Sequence, residues 1–339
     1  MFSSLIPSIV AFGVTTLVII IAGSRLARLA DALADRTGLG EALFGVLFLA
    51  AVTSLPDFAT TLSAAVDARP DLAMSNVMGS MAVNLAFLGL ADIFYRRANL
   101  EHAAASPVNL MLAGLLIVLL TLPLLAIFLP AVSPLGIHPV SPLIIVAYLF
   151  GLHLVQRTQA RPMWFPRLTH QTVSDEPQTR HPGRLATVWI EFAGMAVVTG
   201  IAGWFLMEAA KGIVDRSGLS ESLVGGLFTA LSTSTPELVT TIAAIRIGAL
   251  TLAVSNIFGT NCFNMIVVAA ADAGYVEGSI YHDMAPVQMI WGLVCILMTA
   301  ILLLGLLRRE TYGIGRIGFE SALILGVYVI ALSVVAVSG

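Results

Sequence analysis

Two stretches of the chain, T-S-L-P-D-F-A-T-T at 53–61 and T-S-T-P-E-L-V-T-T at 233–241, each set a carboxylate directly after a proline and among several hydroxyls. A second pair follows, S-N-V-M-G-S-M-A-V-N at 75–84 and S-N-I-F-G-T-N-C-F-N at 255–264. Carboxylate, amide, hydroxyl and carbonyl oxygens are what hard cations such as Ca²⁺ and Na⁺ take as ligands, Ca²⁺ using about 6 to 8 of them. Asp57 and Glu237 supply the charge in this set. Proline has no N–H and displaces the carbonyl four residues earlier, so Pro56 and Pro236 are expected to open their helices and free backbone oxygens there. Ser80 and Asn84, like Thr260 and Asn264, are four residues apart and share one helix face. Gly79 and Gly259 allow a second backbone to come close. The chemistry implied is cation binding rather than bond making.

The elements that must position these residues are apolar. Of 339 residues 58% are hydrophobic and 11% charged, which places the chain among integral membrane proteins. Its apolar runs are long and unalternating, so an all-α polytopic bundle is expected rather than a barrel. Ten spans are predicted, at 5–24, 40–67, 71–94, 107–129, 139–156, 187–210, 219–246, 249–273, 284–307 and 316–337. The N-terminus lacks the basic flank of a secretory signal, and the run after it is read as the first span. Asp57 and Glu237 therefore fall inside spans. A carboxylate there costs at least ~2.5 to 3.5 kcal/mol on insertion scales and marks a functional site by default.

Fourteen of the 17 basic residues fall in loops after odd-numbered spans, which predicts those loops to be cytoplasmic and both termini outside. The polar stretch from Gln156 to Arg184 reads as a linker, and His153, His170 and His181 in or beside it as solvated or interfacial. Cys262 and Cys295 sit in apolar segments without metal-ligand spacing and are expected to pack as inert thiols.

A shift of 180 residues aligns 40–92 with 220–272 without a gap, and 20 of the 53 positions are identical. Five predicted spans separate the two copies, so the second enters the membrane from the opposite side. The expected organisation is two inverted five-helix repeats, 1–156 and 187–339, joined by a cytoplasmic linker at 157–186, with discontinuous helices at the ion site. The shared residues are polar ones within spans, where a packing motif would share small and apolar ones. Asp92 and Asp272 are also paired by the repeat, but at span ends, where an interfacial or helix-terminal role is expected. Glu191, Glu208 and Glu320 lack a comparable hydroxyl-rich neighbourhood, and the D-R-T-G-L and D-R-S-G-L pairs at 35–39 and 215–219 read as surface turns.

With these motifs the chain resembles the cation/calcium exchanger superfamily, whose two alpha-repeats carry a T-S-x-P-E-type signature followed by a G-N-x-x-G-S-N-x-x-N/D-type signature. Within it the chain looks like a prokaryotic sodium/calcium-exchanger-like antiporter. The resemblance implies that spans 2, 3, 7 and 8 hold the ions while spans 1 and 6 slide across them. It implies Asp57 and Glu237 as central Ca²⁺ carboxylates, helped by Thr53 and Thr233. Ser54, Ser80, Ser234 and Thr260 would line Na⁺ positions, Asn84 and Asn264 would complete the middle of the site, and the carbonyls of Ala50 and Ala230 would be additional ligands. Asp57 stands where the prokaryotic type usually has Glu, and Asn264 where it often has Asp, a pattern closer to the mitochondrial-type sodium (lithium)/calcium branch. Ser75 and Ser255 replace a glycine, and Met81 an asparagine.

Two ionised carboxylates carry −2, which one Ca²⁺ or two Na⁺ would neutralise, so exchange nearer to electroneutral than three Na⁺ per Ca²⁺ is expected. Proton-coupled exchange of Ca²⁺ or another divalent cation remains an alternative, because a buried carboxyl can trade a proton for an ion. A cation channel and a membrane enzyme using paired carboxylates as acid and base are further alternatives. No phosphate-cradling loop, His cluster or Ser-His-Asp arrangement supports the enzyme. No cofactor or nucleic-acid partner is expected, only membrane lipid and inorganic cations. The expected location is the inner membrane of a prokaryotic cell.

Overall fold

A computed structural model describes residues 4–37, 45–95, 99–104, 106–131, 136–164, 167, 185–248, 250–310 and 318–338. Among them the regular structure is helical. The first half contains α1 (Leu5–Thr37), a π-helical turn (Gly45–Leu49), α2 (Ala50–Thr53), α3 (Leu55–Val66), α4 (Pro70–Phe94), α5 (Leu100–Ala103), α6 (Pro107–Ala126) and α7 (Val140–Ala160). The second contains α8 (Leu185–Ser217), α9 (Glu221–Leu223), a π-helical turn (Val224–Thr229), α10 (Ala230–Thr233), α11 (Thr235–Ile247), α12 (Leu250–Gly274), α13 (Ile280–Asp283), α14 (Pro286–Arg308) and α15 (Phe319–Ser338).

The 180-residue offset holds well beyond the aligned motifs. It carries the bounds of α1 onto α8, α4 onto α12 and α5 onto α13 without a residue of difference. Local signals set several of these ends: Pro70, Pro107 and Pro286 open their helices where no N–H is needed. Ser106 caps α6 by accepting from the Val108 N–H. Gly248, with φ 88°, ends α11 in the left-handed conformation a glycine adopts without strain.

Among the described residues eight helices are long and apolar enough to cross a membrane: α1, α4, α6, α7, α8, α12, α14 and α15. The other two expected spans, 40–67 and 219–246, are not single helices. Each contains a π-helical turn, a four-residue helix and a longer helix, the second preceded by the three-residue α9, with residues 40–44 outside the described part. α1 and α8 are also longer than expected, 33 residues each, and α7 runs on through Ala160, beyond the expected linker boundary. Most of the linker lies outside the described residues, as do His170 and His181, whereas His153 is exposed.

Packing repeats with the sequence. α3 lies on α8 as α11 lies on α1, and α4 meets the second π-helical turn as α12 meets the first. α4 packs on α14 and α15, and α12 on α6 and α7, while α1 with α8 and α6 with α14 are cross-half pairs. In the most apolar window of α4 every residue is buried, and in that of α12 89%, against 17% for α1 and for α8. The two most polar-studded helices are therefore the central ones. α1 presents Ile6, Val10, Val14, Leu17 and Ile21 outward at helical spacing, an apolar stripe suited to lipid. The cores of α4 and α12 join in one apolar cluster that includes buried Cys262 and Cys295, both free thiols as expected.

Candidate functional site

The helix break falls at Ser54 and Ser234, two residues ahead of each proline. Both serines have ψ 0°, off the helical value, and the prolines occupy the first turn of α3 and α11. The preceding π-helical turns were not legible in the sequence. A π turn is unusual in a helix and is often found at functional sites.

Two glycines bring the broken segments against the central helices. A Cβ on Gly79 of α4 would stand 2.6 Å from the Gly226 carbonyl oxygen, and one on Gly259 of α12 would stand 2.9 Å from Val46 Cα. Each meets the π turn of the opposite half. Ser75 donates to the Glu221 carbonyl oxygen at 3.2 Å and pins α4 to the start of the second broken segment. Asn76 ties α4 to α3 by donating to Thr60 and Thr61, both at 2.9 Å. Its counterpart Asn256 makes no such bond among the described residues.

Asp57 is 1% exposed and Glu237 0%, and the two lie near enough to repel one another. Asp57 Oδ1 accepts from the Ser80 hydroxyl at 2.8 Å, and Oδ2 accepts from the Asn264 amide at 3.1 Å. Asn264 belongs to the opposite half, so this bond closes the site across the repeats. Thr233 comes within 3.3 Å of Ser80 and lies beside Asp57, as Thr53 lies beside Glu237. Both threonines spend their protons on their own helices. Thr53 donates to Leu49 and Ala50 carbonyls, and Thr233 to those of Thr229 and Ala230, leaving hydroxyl lone pairs for another partner. Ala50 and Ala230 are buried, and each carbonyl already accepts from a threonine hydroxyl and a serine N–H.

A set of buried oxygens is left over. Ser54 Oγ, Asn84 Oδ1, Ser234 Oγ, both Glu237 carboxylate oxygens, Thr260 Oγ1 and Asn264 Oδ1 have no hydrogen-bond partner among the described residues. A buried polar atom without a partner costs roughly 1 to 3 kcal/mol, and a charged one more. Every atom in this set is an oxygen that can face a cation. Ser80, by contrast, is committed to Asp57. The structure thus brings Asp57, Glu237 and both Asn faces together, joined across the halves by the bonds of Asn264 and Asn84.

Three features were missed from sequence. Asn261 accepts from the Asn84 amide and donates to the Met81 carbonyl, both at 3.0 Å. Gly203 of α8 packs on Pro56, and Gly23 of α1 on Pro236, at gaps too small for a side chain. These glycines are themselves 180 residues apart, which was a usable signal outside the aligned window. Asp92 and Asp272, expected at helix ends, are there but fully buried. Asp92 accepts from the N–H groups of Leu100 and Gly318, and Asp272 from that of His138 and the Ser141 hydroxyl, so each fastens a loop rather than facing an ion.

Comparison with known proteins gives a consistent picture. Residues 7–156 and 187–337 match the family described as sodium/calcium exchanger protein. The chain is 27% identical over 294 residues to the inner membrane protein YrbG of Escherichia coli (strain K12), covering 82% of this chain and 86% of YrbG. It is 28% identical over 285 residues to a protein of Alkalimonas amylolytica named "Putative antiporter CaxA", covering 83% of this chain and 85% of that one. In fold it is similar to a solved structure of the sodium-calcium exchanger NCX_Mj soaked with 2.5 mM Na⁺ and 10 mM Sr²⁺, with TM-score 0.63, 19% identity, and 97% of this chain and 99% of that chain covered.

Proposed function

The chain belongs to the sodium/calcium exchanger protein family, and from that premise we propose that it is a secondary active antiporter exchanging Ca²⁺ for Na⁺ by alternating access. The single observation that carries this reading is the set of buried, partnerless oxygens around Asp57 and Glu237, contributed by both halves. Proteins satisfy buried polar atoms. Oxygens without donors, two of them on a carboxylate, are what remains when a transported cation supplies the missing charge.

In this reading Asp57 and Glu237 hold Ca²⁺, with Thr53 and Thr233 beside them. Ser54, Ser80, Ser234 and Thr260 line Na⁺ positions, and Asn84 and Asn264 lie between, with the carbonyls of Ala50 and Ala230 at the edge. Counting the two broken segments with the eight long helices gives ten spans, arranged as two inverted repeats, 1–156 and 187–339. Both termini then face outside and the protein resides in the inner membrane. α1 and α8, the least buried helices and packed on each other, are the pair that slides across the rest. Charge balance favours one Ca²⁺ against two Na⁺.

The test is ⁴⁵Ca²⁺ flux in proteoliposomes with Na⁺, Li⁺, K⁺ or H⁺ gradients imposed one at a time. Uptake driven by Na⁺ and indifferent to membrane potential is expected. Uptake driven by pH without Na⁺ would replace it with the second reading, proton-coupled exchange. One observation favours that second reading: the Glu237 carboxylate has no donor, and a proton would neutralise it as a cation does.

A further inference from the structure

We propose that Asn261 is a positioning residue for cation binding: it fixes the Asn84 amide so that its oxygen, not its nitrogen, faces the ions. The inference rests on the ion site described above. The repeat places Asn261 opposite Met81, so the two halves differ at this position. Asn261 uses the difference to reach across from α12 to α4. Its Oδ1 accepts from Asn84 Nδ2 at 3.0 Å, and its Nδ2 donates to the Met81 carbonyl oxygen at 3.0 Å.

An amide has two faces of opposite character, and only the oxygen face can ligate a cation. Asn84 is fully buried, and its Oδ1 has no partner among the described residues. Turned over, it would aim two N–H groups into the site and repel the ion. The Asn261 oxygen forbids this turn, because the Asn84 oxygen would then meet another acceptor. Asn261 is itself fixed, since its amide nitrogen is spent on a backbone carbonyl in the main chain of α4. Asn264, the counterpart of Asn84, needs no such device: Asp57 holds its nitrogen at 3.1 Å and leaves its oxygen free. Met81 could not serve as Asn261 does, and the asymmetry of the repeat is accounted for.

The experiment uses the purified full chain in detergent, with CaCl₂ as the probe and the rise in melting temperature as the binding signal, alongside ⁴⁵Ca²⁺ flux in proteoliposomes. Asn261→Leu is expected to raise the half-saturating Ca²⁺ about tenfold while the maximal flux changes less than threefold. Asn84→Ala should do the same, and Asn84→Ala/Asn261→Leu should be no worse than Asn84→Ala alone. An Asp at position 84 offers oxygen on both faces. In that background Asn261→Leu should leave half-saturation unchanged or improve it, and this pair remains informative if Asn261→Leu alone folds poorly. Half-saturation unchanged in Asn261→Leu, multiplying losses in the double variant, or an undiminished loss in the Asn84→Asp background would each overturn the proposal. Wild-type protein that gives neither a Ca²⁺-dependent melting shift nor flux would instead overturn the exchange reading on which it rests.

Discussion

Asp57 and Glu237 stand 180 residues apart at one position of the repeat, yet Asp57 accepts hydrogen bonds at both oxygens, from Ser80 at 2.8 Å and Asn264 at 3.1 Å, while neither Glu237 oxygen has a partner among the described residues. The equivalent donors are not engaged at Glu237: Asn84 Nδ2 is spent on Asn261, and Thr260 Oγ1 makes no bond among the described residues. Without a cation, Asp57 keeps two hydrogen bonds, while Glu237 keeps only the weaker proximity of Thr53. In the proposed exchange both carboxylates supply the charge that holds Ca²⁺, so Asp57→Asn and Glu237→Gln should each lower Ca²⁺ flux by about 100-fold or more.

Their effects on cation-free stability should have opposite signs. Asn at 57 would present an N–H₂ to one of the two donors and lose about 1 to 3 kcal/mol. Gln at 237 removes an uncompensated buried charge and replaces it with a neutral group that is cheaper to bury. Melting in EDTA and a Na⁺-free buffer should therefore fall by several degrees for Asp57→Asn and rise for Glu237→Gln. Equal shifts in the two would mean that the carboxylates are held alike.

The contact between α8 and α3 has no room for growth. A Cβ at Gly203 would stand 2.9 Å from Pro56 Cα and from the Pro56 carbonyl oxygen, both backbone atoms that cannot turn aside. At Gly23 the obstacle is the ring of Pro236, at 2.4 Å from Cγ. Overpacking of this kind costs about 1 to 3 kcal/mol. Because the prolines adjoin the site and α1 with α8 is the pair that moves in the proposed cycle, Gly203→Ala should slow maximal flux about tenfold with half-saturating Ca²⁺ changed less than threefold. Unchanged flux in Gly203→Ala would show that the close approach has no part in transport.

Residue types at a repeating spacing singled out Asp57, Glu237 and the Asn84 and Asn264 faces, which the structure brings together, because both copies keep polar groups there within apolar segments. The offset did not fix helix bounds, which were expected at 5–24 and 187–210 for α1 and α8, whereas the two helices match residue for residue at Leu5–Thr37 and Leu185–Ser217. What was not legible depends on contacts between distant segments. Asn261 looks like any motif asparagine until Asn84, 177 residues away, is seen to hydrogen-bond to it. Gly203 lies in a run of apolar residues and gains meaning only from Pro56. The π-helical turns have no compositional mark, since their side chains are those of an ordinary apolar helix. Proline predicted a break but not its place, because the strain is relieved at Ser54 and Ser234, ahead of the ring.

Lys211 of α8 is 8% exposed at its side chain and donates to the Ser63 hydroxyl at 3.0 Å, to Glu208 at 2.8 Å and to Asp67. Arg69 pairs with Asp215 at 2.6 Å close by, so ion pairs join α8 to the turn between α3 and α4. Lys211→Met would leave Glu208, whose side chain is 17% exposed, uncompensated. Loss of one partner from a buried pair costs about 3 to 5 kcal/mol, but Asp67 is half exposed and screened, so a loss of about 2 kcal/mol is expected. The measurement is melting in detergent, and Lys211→Met/Glu208→Gln should regain most of the loss. A single substitution without effect would show that solvent already carries these charges.

Glu101, in the short α5 outside the predicted spans, is buried, and this burial together with the charges of Asp92 and Glu320 pushes its carboxyl well above the usual glutamate range. The folded protein then keeps a proton that the unfolded chain has released. Stability is therefore full below about pH 4.5 and falls as pH rises toward the folded pKa, by up to about 1.4 kcal/mol per pH unit. Glu101→Gln is neutral at every pH and removes this dependence. As pH rises from 5 toward the folded pKa the wild type should lose melting temperature, and the variant markedly less. At pH 5 the two should melt together. Parallel curves across the range would mean that Glu101 is ionised in the folded state.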